Sequence, residues 1–277
     1  MNRFFNLIVC PKCRGDLIES KLDFRCNSCE IAFTRNPKID FLLNTEPTGD
    51  DALDALKTFV KKFPRLYIFL AEVVSPVFIS KRKLKRIINE IESENLIGLN
   101  IGSGVTNYSE NIVNFDFQDF KNVQVIGDLF ELPFRDNSFD YVFSIYVLEH
   151  IPDPESAINE MYRVLKPGGK AYCLIPFIQG FHAAPADYIR LTSSGVKYHF
   201  SQFDAVKITG VGPTSALLWI LQEWLSILFS FGSKRFSTYV HIVIMSITFP
   251  IKFIDLILSH FPVSHKIAVA NEVLAIK

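Results

Sequence analysis

The chain has 277 residues, enough for one large domain or two unequal ones, and 49% of them are apolar, which allows a substantial core. Lysine plus arginine and aspartate plus glutamate number 29 each, so the formal net charge is zero and no global field points to nucleic acid. The mean hydropathy of +0.21 is high for a water-soluble enzyme.

In chain order, MNRFFNLIVC runs straight into a cysteine motif with no secretory leader ahead of it, and a cytoplasmic location is expected. CPKCRGDLIESKLDFRCNSC holds Cys10, Cys13, Cys26 and Cys29 as two CxxC pairs with a twelve-residue gap between them. Each pair forms a knuckle, and LIESKLDF folds as a hairpin that brings the second knuckle to the first. Four thiolates with no open position describe a structural zinc site rather than a catalytic one. Paired CxxC motifs in a reducing compartment point to metal, not to disulfides. Cys173 stands alone in AYCLIPF and reads as a buried small apolar residue. LIVCPKC, FRCNSCEIAF and NPKIDFLL resemble the zinc-ribbon family of small methyltransferase-activating subunits, over about residues 6–43. That resemblance implies that the last segment is a strand closing the module. Residues 1–44 are therefore expected to form a zinc ribbon, a module that elsewhere also binds RNA or protein.

TEPTGDD, residues 45–51, reads as a linker, and residues 52–93 read as helical, broken near Pro64 and Pro76. Within that 45–95 segment, the basic run KRKLKR at 81–86 is a solvated helix face or a contact for an anionic surface. From residue 96 the pattern changes. IGLNI, NIVNFDF, VQVIGD, FDYVFSIYV and KAYCLIPF read as buried strands, and SAINEMYRVLK as an amphipathic helix started by Asp153 or Pro154 and ended by Pro167-Gly168-Gly169. Strands alternating with a helix imply an α/β domain with a mostly parallel sheet, over residues 96–277.

LNIGSG, residues 99–104, ends the first of these strands with two glycines that let backbone approach a ligand. Neither the dinucleotide fingerprint nor the P-loop is completed, since Asn107 stands at the third glycine position and no GK[ST] follows. Asp116 ends the second strand, where a carboxylate accepts hydrogen bonds from ribose hydroxyls. Asp128 ends the third, in reach of an adenine amino group. IGSG, GDLFELPF, DNSFDYV, VLEHIPDP and RVLKPGG, in this order, resemble the class I S-adenosylmethionine-dependent methyltransferases of the type 11 group, over about residues 97–177. The resemblance implies a Rossmann-like, seven-stranded α/β sheet with an antiparallel last strand, a place that HKIAVANEVLAIK suits, with FDAVKITGVG before it. It also implies that S-adenosylmethionine is bound by Asn100, Gly102, Ser103, Gly104, Asp116, Asp128, Leu129, Ser144 and Tyr146. Two departures stand out. Asn100 replaces the usual acidic residue. VTNYSEN and FQDFKN leave room for crossover helices of one turn at most.

After the fifth strand, PFIQGFHAAPADYIRLTSSG brings His182, Asp187 and Arg190 to the carboxyl edge of the sheet. His182 is the candidate base, Asp187 its orienting group or a substrate ligand, and Arg190 a holder of an anionic group; alternatively Asp187 and Arg190 pair to brace the loop. His150 reads as structural or cofactor-adjacent. Residues 214–263, before the last strand, form an apolar helical insert. SALLWILQEWLSILFSF and TFPIKFIDLILSHF each carry a narrow polar stripe and a wide apolar face, and YVHIVIMSITFPI is apolar over thirteen residues, short of the roughly 20 that span a bilayer. The insert packs on the domain, forms a homodimer interface, or attaches in the plane of a membrane. The expectation is a methyltransferase with structural zinc that O-methylates a small, sugar-like or lipid-linked acceptor. The alternatives are an RNA methyltransferase and a non-catalytic binding protein on the same fold.

Overall fold

The computed structural model describes residues 4–19, 23–35, 38–42, 75–182 and 186–277. The linker expected at 45–51 and the helix expected from 52 to 74 lie outside these residues. Short strands β1 (Leu17–Glu19), β2 (Asp23–Cys26), β3 (Ala32–Arg35) and β4 (Ile39–Asp40) form the N-terminal hairpins. Helix α1 (Arg82–Ser93) leads into β5 (Gly98–Ile101), β6 (Ile112–Asp116), β7 (Val125–Ile126) and β8 (Phe139–Ile145). Helix α2 (Pro154–Val164), β9 (Leu165–Pro176), α3 (Ser193–His199) and β10 (Ala205–Val211) follow. The insert contains α4 (Pro213–Leu228), α5 (Lys234–Thr248) and α6 (Asp255–Leu258), and β11 (Ala270–Ile276) closes the chain.

The strands lie in the order β1-β2-β3-β4-β7-β6-β5-β8-β9-β11-β10. β7, β6, β5, β8 and β9 pair in parallel, and β11 runs antiparallel between β9 and β10. The five strands expected from the apolar runs and the two expected from the resemblance are present, with the last antiparallel. The expected seven-stranded sheet is corrected in one respect, because it has eleven strands. Ile39 and Asp40 of β4 pair in parallel with Val125 and Ile126 of β7, so the cysteine module continues the sheet. Helix α2 starts as expected, with Asp153 accepting from Ser156 N and Pro154 in the first turn. It ends earlier than Pro167, because Leu165 already pairs with Phe139.

The connections between β5 and β6 and between β6 and β7 contain no helix among the described residues. Parallel strands ordinarily need a crossover element to cover their faces. Here one face is covered by the N-terminal module. Phe24, Phe33, Ile39 and Phe41 share a single buried cluster with Val113, Phe115 and Val125 of the sheet and with Met161 of α2. Further contacts tie the module down: Val9 N donates to Pro133 O, and Arg14 pairs with Glu160. On the opposite face, Leu84, Ile87 and Ile91 of α1 cover Ile112, Tyr141, Phe143 and Tyr172. Beside them a polar network replaces helix packing. Asn100 donates to Asn114, Asn114 donates to Asn107 and to Asn122 O, and Asn122 donates to Thr106 O. Four amides with mutual partners, of which Asn100 and Asn114 are buried, hold a short loop where apolar side chains would otherwise be needed.

The insert is arranged differently. Ser215, Gln222 and Ser226 of α4 are buried, as are Lys252 and Asp255 across from them. Asp255 accepts from Thr214 N, Ser215 N and Ser215 Oγ, which places a carboxylate at the N-terminus of α4. Gln222 donates to Thr248, and Lys252 donates to Ser75 O. The polar stripes thus face inward, and Ile220, Trp224, Ile227, Phe231, Ile247 and Ile257 face outward. Residues Phe236–Leu258 run on as a helical stretch of 23 residues, within which an 18-residue window has a mean hydropathy of 1.8, long and apolar enough to cross a membrane by length and composition. This corrects the thirteen-residue expectation. Pro250 falls in the first turn of a 3-10 segment, Phe249–Ile254, where its missing N–H breaks no bond.

Candidate active site

The glycine loop leaves β5 in a tight, left-handed path. Gly102 and Gly104 have φ of 62° and 52°, a region that costs a side chain roughly 1 kcal/mol or more. A Cβ on Gly102 would stand 2.4 Å from Val147, whereas one on Gly104 would meet nothing within 4 Å. The loop is therefore packed from beneath at the first glycine and open at the second. Gly104 N donates to Asp116 Oδ2 at 2.8 Å, and Gln118 N donates to Oδ1 at 2.9 Å. These two bonds lock the carboxylate beside the loop. Ser103 Oγ and Ser144 Oγ are buried and have no hydrogen-bond partner among the described residues. Two orphaned hydroxyls at adjacent strand ends, next to a carboxylate, suit a ligand rich in hydroxyl and amino groups.

Asp128 is exposed, accepts from Phe130 N, and starts the 3-10 turn that includes Leu129. Asn100 lies deeper. Its amide is buried and donates to Asn114, so it supports the strand pair from below the loop. Tyr146 follows β8 with φ 57°, an uncommon conformation for an aromatic residue and one that clusters at functional sites. Burial, together with the nearby Glu149, raises its hydroxyl pKa.

Tyr146 also lines a cavity of about 590 Å³ between the sheet and the insert. Its walls are mostly apolar: Val77, Ile79 and Leu84 before the sheet, Ile145 and Leu174 from strand ends, and Phe249, Phe253 and Leu256 from the insert. Tyr108 lines it too, its hydroxyl pushed up to about 12 by burial. Lys81 and Arg82 stand at its rim and belong to the basic run noted in the sequence.

The loop after β9 places His182 against Glu149 and His150. Glu149 is fully buried, and neither carboxylate oxygen has a hydrogen-bond partner among the described residues. Burial pushes its pKa up to about 8; Asp187 adds to this and Arg190 opposes it. The His182 and His150 rings stand 5.4 Å apart, and Trp219 of α4 packs 5.8 Å from His182. Burial lowers the His182 pKa, against the nearby Asp187 carboxylate, which favours its cation. Asp187 and Arg190 pair through both carboxylate oxygens, and Asp187 also accepts from His182 N at 2.9 Å. This is the bracing arrangement. The pair shapes the loop, and Arg190 has its guanidinium committed there. Glu149 was missed in the sequence, where VLEH drew notice only to its histidine. Its burial comes from the turn at Leu148–His150 folding under the later loop, which no local pattern displays.

The four cysteines of the N-terminal module converge. Their sulfurs lie within 4.8 Å of one another, with Cys10 and Cys29 3.6 Å apart and Cys13 and Cys26 3.3 Å apart. Both knuckles close alike: Arg14 N donates to Cys10 O and Glu30 N to Cys26 O, and Arg14 and Glu30 both have positive φ. Burial opposes ionisation of Cys26, yet the backbone N–H groups of Cys29 and Ser28, with neighbouring thiols, bring it down to about 6.

Residues 93–173 match the family described as methyltransferase domain. A demethylmenaquinone methyltransferase of Staphylococcus epidermidis is 48% identical over 71 residues, 24% of this chain and 30% of that protein. A sterol 24-C-methyltransferase of Schizosaccharomyces pombe is 42% identical over 84 residues, 30% of this chain and 22% of that protein. The chain thus spans less than a third of the length of these relatives. Among solved structures, phosphoethanolamine N-methyltransferase 2 of Haemonchus contortus, in complex with phosphomonomethylethanolamine and S-adenosylhomocysteine, matches with a TM-score of 0.42 and 17% identity, covering 69% of this chain and 52% of that one.

Proposed function

We propose that the chain is an S-adenosylmethionine-dependent methyltransferase that acts on an apolar, membrane-held acceptor. The observation that carries this reading is the match of residues 93–173 to the methyltransferase domain, over the segment that contains the open glycine loop and Asp116. S-adenosylmethionine supplies an activated methyl group on a sulfonium. Asp116, held by two backbone N–H groups, keeps acceptor capacity for ribose hydroxyls. Asp128 and Leu129 would flank the adenine. Ser103, Ser144 and Tyr146, with Gly102 and Gly104, would line the methionine side. Asn100 would act indirectly, through the support it gives the loop.

The chain's remaining task is alignment and exclusion of water. The cavity beside Tyr146 would receive an apolar acceptor, and His182 would take a hydroxyl proton if the acceptor presents one. Two curated relatives are named for demethylmenaquinone and sterol substrates, both lipids. The outward apolar face of the insert continues from the cavity wall through Phe249, Phe253 and Leu256, so lipid could enter without crossing water. An in-plane attachment follows, with Lys81 and Arg82 toward anionic headgroups. The four cysteines would hold structural zinc, since a tetrahedral shell with bonds of about 2.3 Å sets sulfurs about 3.8 Å apart.

Calorimetry of S-adenosylhomocysteine on zinc-loaded protein tests the cofactor site. Micromolar binding that Asp116→Ala weakens by more than about tenfold is expected, with thermal unfolding as the control for folding. No heat at millimolar ligand would defeat the proposal.

A further inference from the structure

We propose that Glu149, His150 and His182 form a second metal site, distinct from the cysteines, for one divalent transition-metal ion. Their ligand atoms lie within 4.8 Å of one another. Glu149 Oε1 stands 3.9 Å from His150 Nε2 and 4.0 Å from His182 Nε2. An ion about 2.1 Å from each ligand keeps them about 3.4 Å apart in a tetrahedral shell, so each of the two carboxylate–imidazole separations needs to shorten by about half an ångström.

The second observation is Glu149 itself. A fully buried carboxylate whose oxygens both lack a hydrogen-bond partner among the described residues is rare, because removing it from water without a partner costs several kcal/mol. The nearest guanidinium, Arg190, is engaged by Asp187. The two imidazole nitrogens facing the carboxylate offer lone pairs, and a cation between the three groups supplies what each lacks.

The surroundings orient the ligands as outer-shell partners orient metal-bound histidines. His150 Nδ1 is hydrogen-bonded to Ala186 O, an arrangement in which it donates and leaves Nε2 bare. His182 Nδ1 lies 3.3 Å from Gly180 O and 3.3 Å from Arg190 Nη2. Donation to the carbonyl leaves Nε2 bare, so ion binding selects that tautomer over the one that accepts from arginine. The Asp187–His182 N bond holds the loop in place, and Trp219 shields one side of the ring.

Two imidazoles and one carboxylate favour zinc, iron, cobalt, nickel or manganese over magnesium or calcium. Three protein ligands leave coordination positions open. Resting on the methyltransferase reading, one such position would bind an oxygen of the acceptor next to Tyr146 and ease its ionisation, a role that replaces that of His182 as base once the ring is a ligand, and it narrows the acceptor class to apolar molecules bearing a hydroxyl or phenol.

The test titrates Co²⁺ into the full chain with its ribbon already filled with zinc, read by calorimetry and visible absorption. One equivalent of Co²⁺ is expected, with d–d bands and no thiolate charge-transfer band. Glu149→Gln and His182→Ala should each weaken uptake by about 100-fold or more, with the ribbon zinc retained. S-adenosylhomocysteine binding by the same samples reports that the fold is intact. No uptake by wild-type protein overturns the site, as does uptake that both variants preserve. Uptake lost in the variants, with ribbon zinc retained and the thermal unfolding midpoint unchanged, upholds it whether or not the wild type binds S-adenosylhomocysteine; absence of that binding counts only against the methyltransferase reading.

Discussion

Two appendages flank the same sheet and use their apolar residues in opposite directions. At one edge the N-terminal module adds β4 to β7 and buries Phe24, Phe33 and Phe41 in the common core. Beside the other edge, the insert between β10 and β11 turns Gln222, Ser226, Lys252 and Asp255 inward and leaves its aliphatic and aromatic side chains in the open. Burial of apolar area in water stabilises the first arrangement. The second buries little, chiefly Ala216 and Leu218, and draws much of its cohesion from hydrogen bonds and an anion at a helix N-terminus. The first is part of the fold. The second is a surface shaped for an apolar environment.

The sharpest way to break this contrast is to unfold the module. Stripping the zinc proposed for it with a chelator, or replacing Cys26 with Ser, is expected to destabilise the whole sheet by more than about 3 kcal/mol. Circular dichroism should show one cooperative shift, and hydrogen exchange should rise together in β6, β7 and the module. A module that melts alone, with β6 and β7 still protected, would make it a passenger.

How much of this was legible beforehand follows from physical range. Cysteine spacing displays the convergence of the four thiols because knuckle geometry is local. The short segments after Gly104 and Asp116 display the missing crossovers because chain length is additive. The parallel pairing of Ile39 with Val125 joins residues far apart in sequence, and nothing local announces it. The polar stripes of the insert were visible at helical spacing, but which side meets protein depends on the partner helix. In the site, Asp116 and the glycines were readable from strand ends, whereas the burial of Glu149 depends on a later loop folding over it.

A smaller effect separates the insert from the sheet. Asp255→Ala removes the acceptor for Thr214 N, Ser215 N and Ser215 Oγ. Because Lys252 remains buried nearby, a loss of about 3 kcal/mol is expected, confined to residues 213–267. Hydrogen exchange should quicken across α4 to α6 and stay unchanged in β5, β8 and β9. Exchange that quickens in the sheet as well would show that the insert, like the ribbon, belongs to the core.

The smallest effect on stability carries the most about function. Ile227, Ile247 and Ile257 are 68%, 72% and 64% exposed, so replacing all three with Ser removes little buried area. Surface substitutions of this kind stay within about 0.5 kcal/mol each in water, and the unfolding midpoint should barely move. Vesicle binding should respond far more. Each aliphatic side chain that leaves water for an acyl layer gains roughly 1.5–3 kcal/mol, so the triple variant should bind anionic phosphatidylcholine–phosphatidylglycerol vesicles at least about 100-fold more weakly in a flotation assay. Sedimentation equilibrium distinguishes the competing use of the same face. A wild-type dimer that the variant disperses, together with vesicle binding unchanged by the substitutions, would assign the apolar surface to a second copy of the chain. A monomer in both proteins, with flotation lost in the variant, assigns it to lipid.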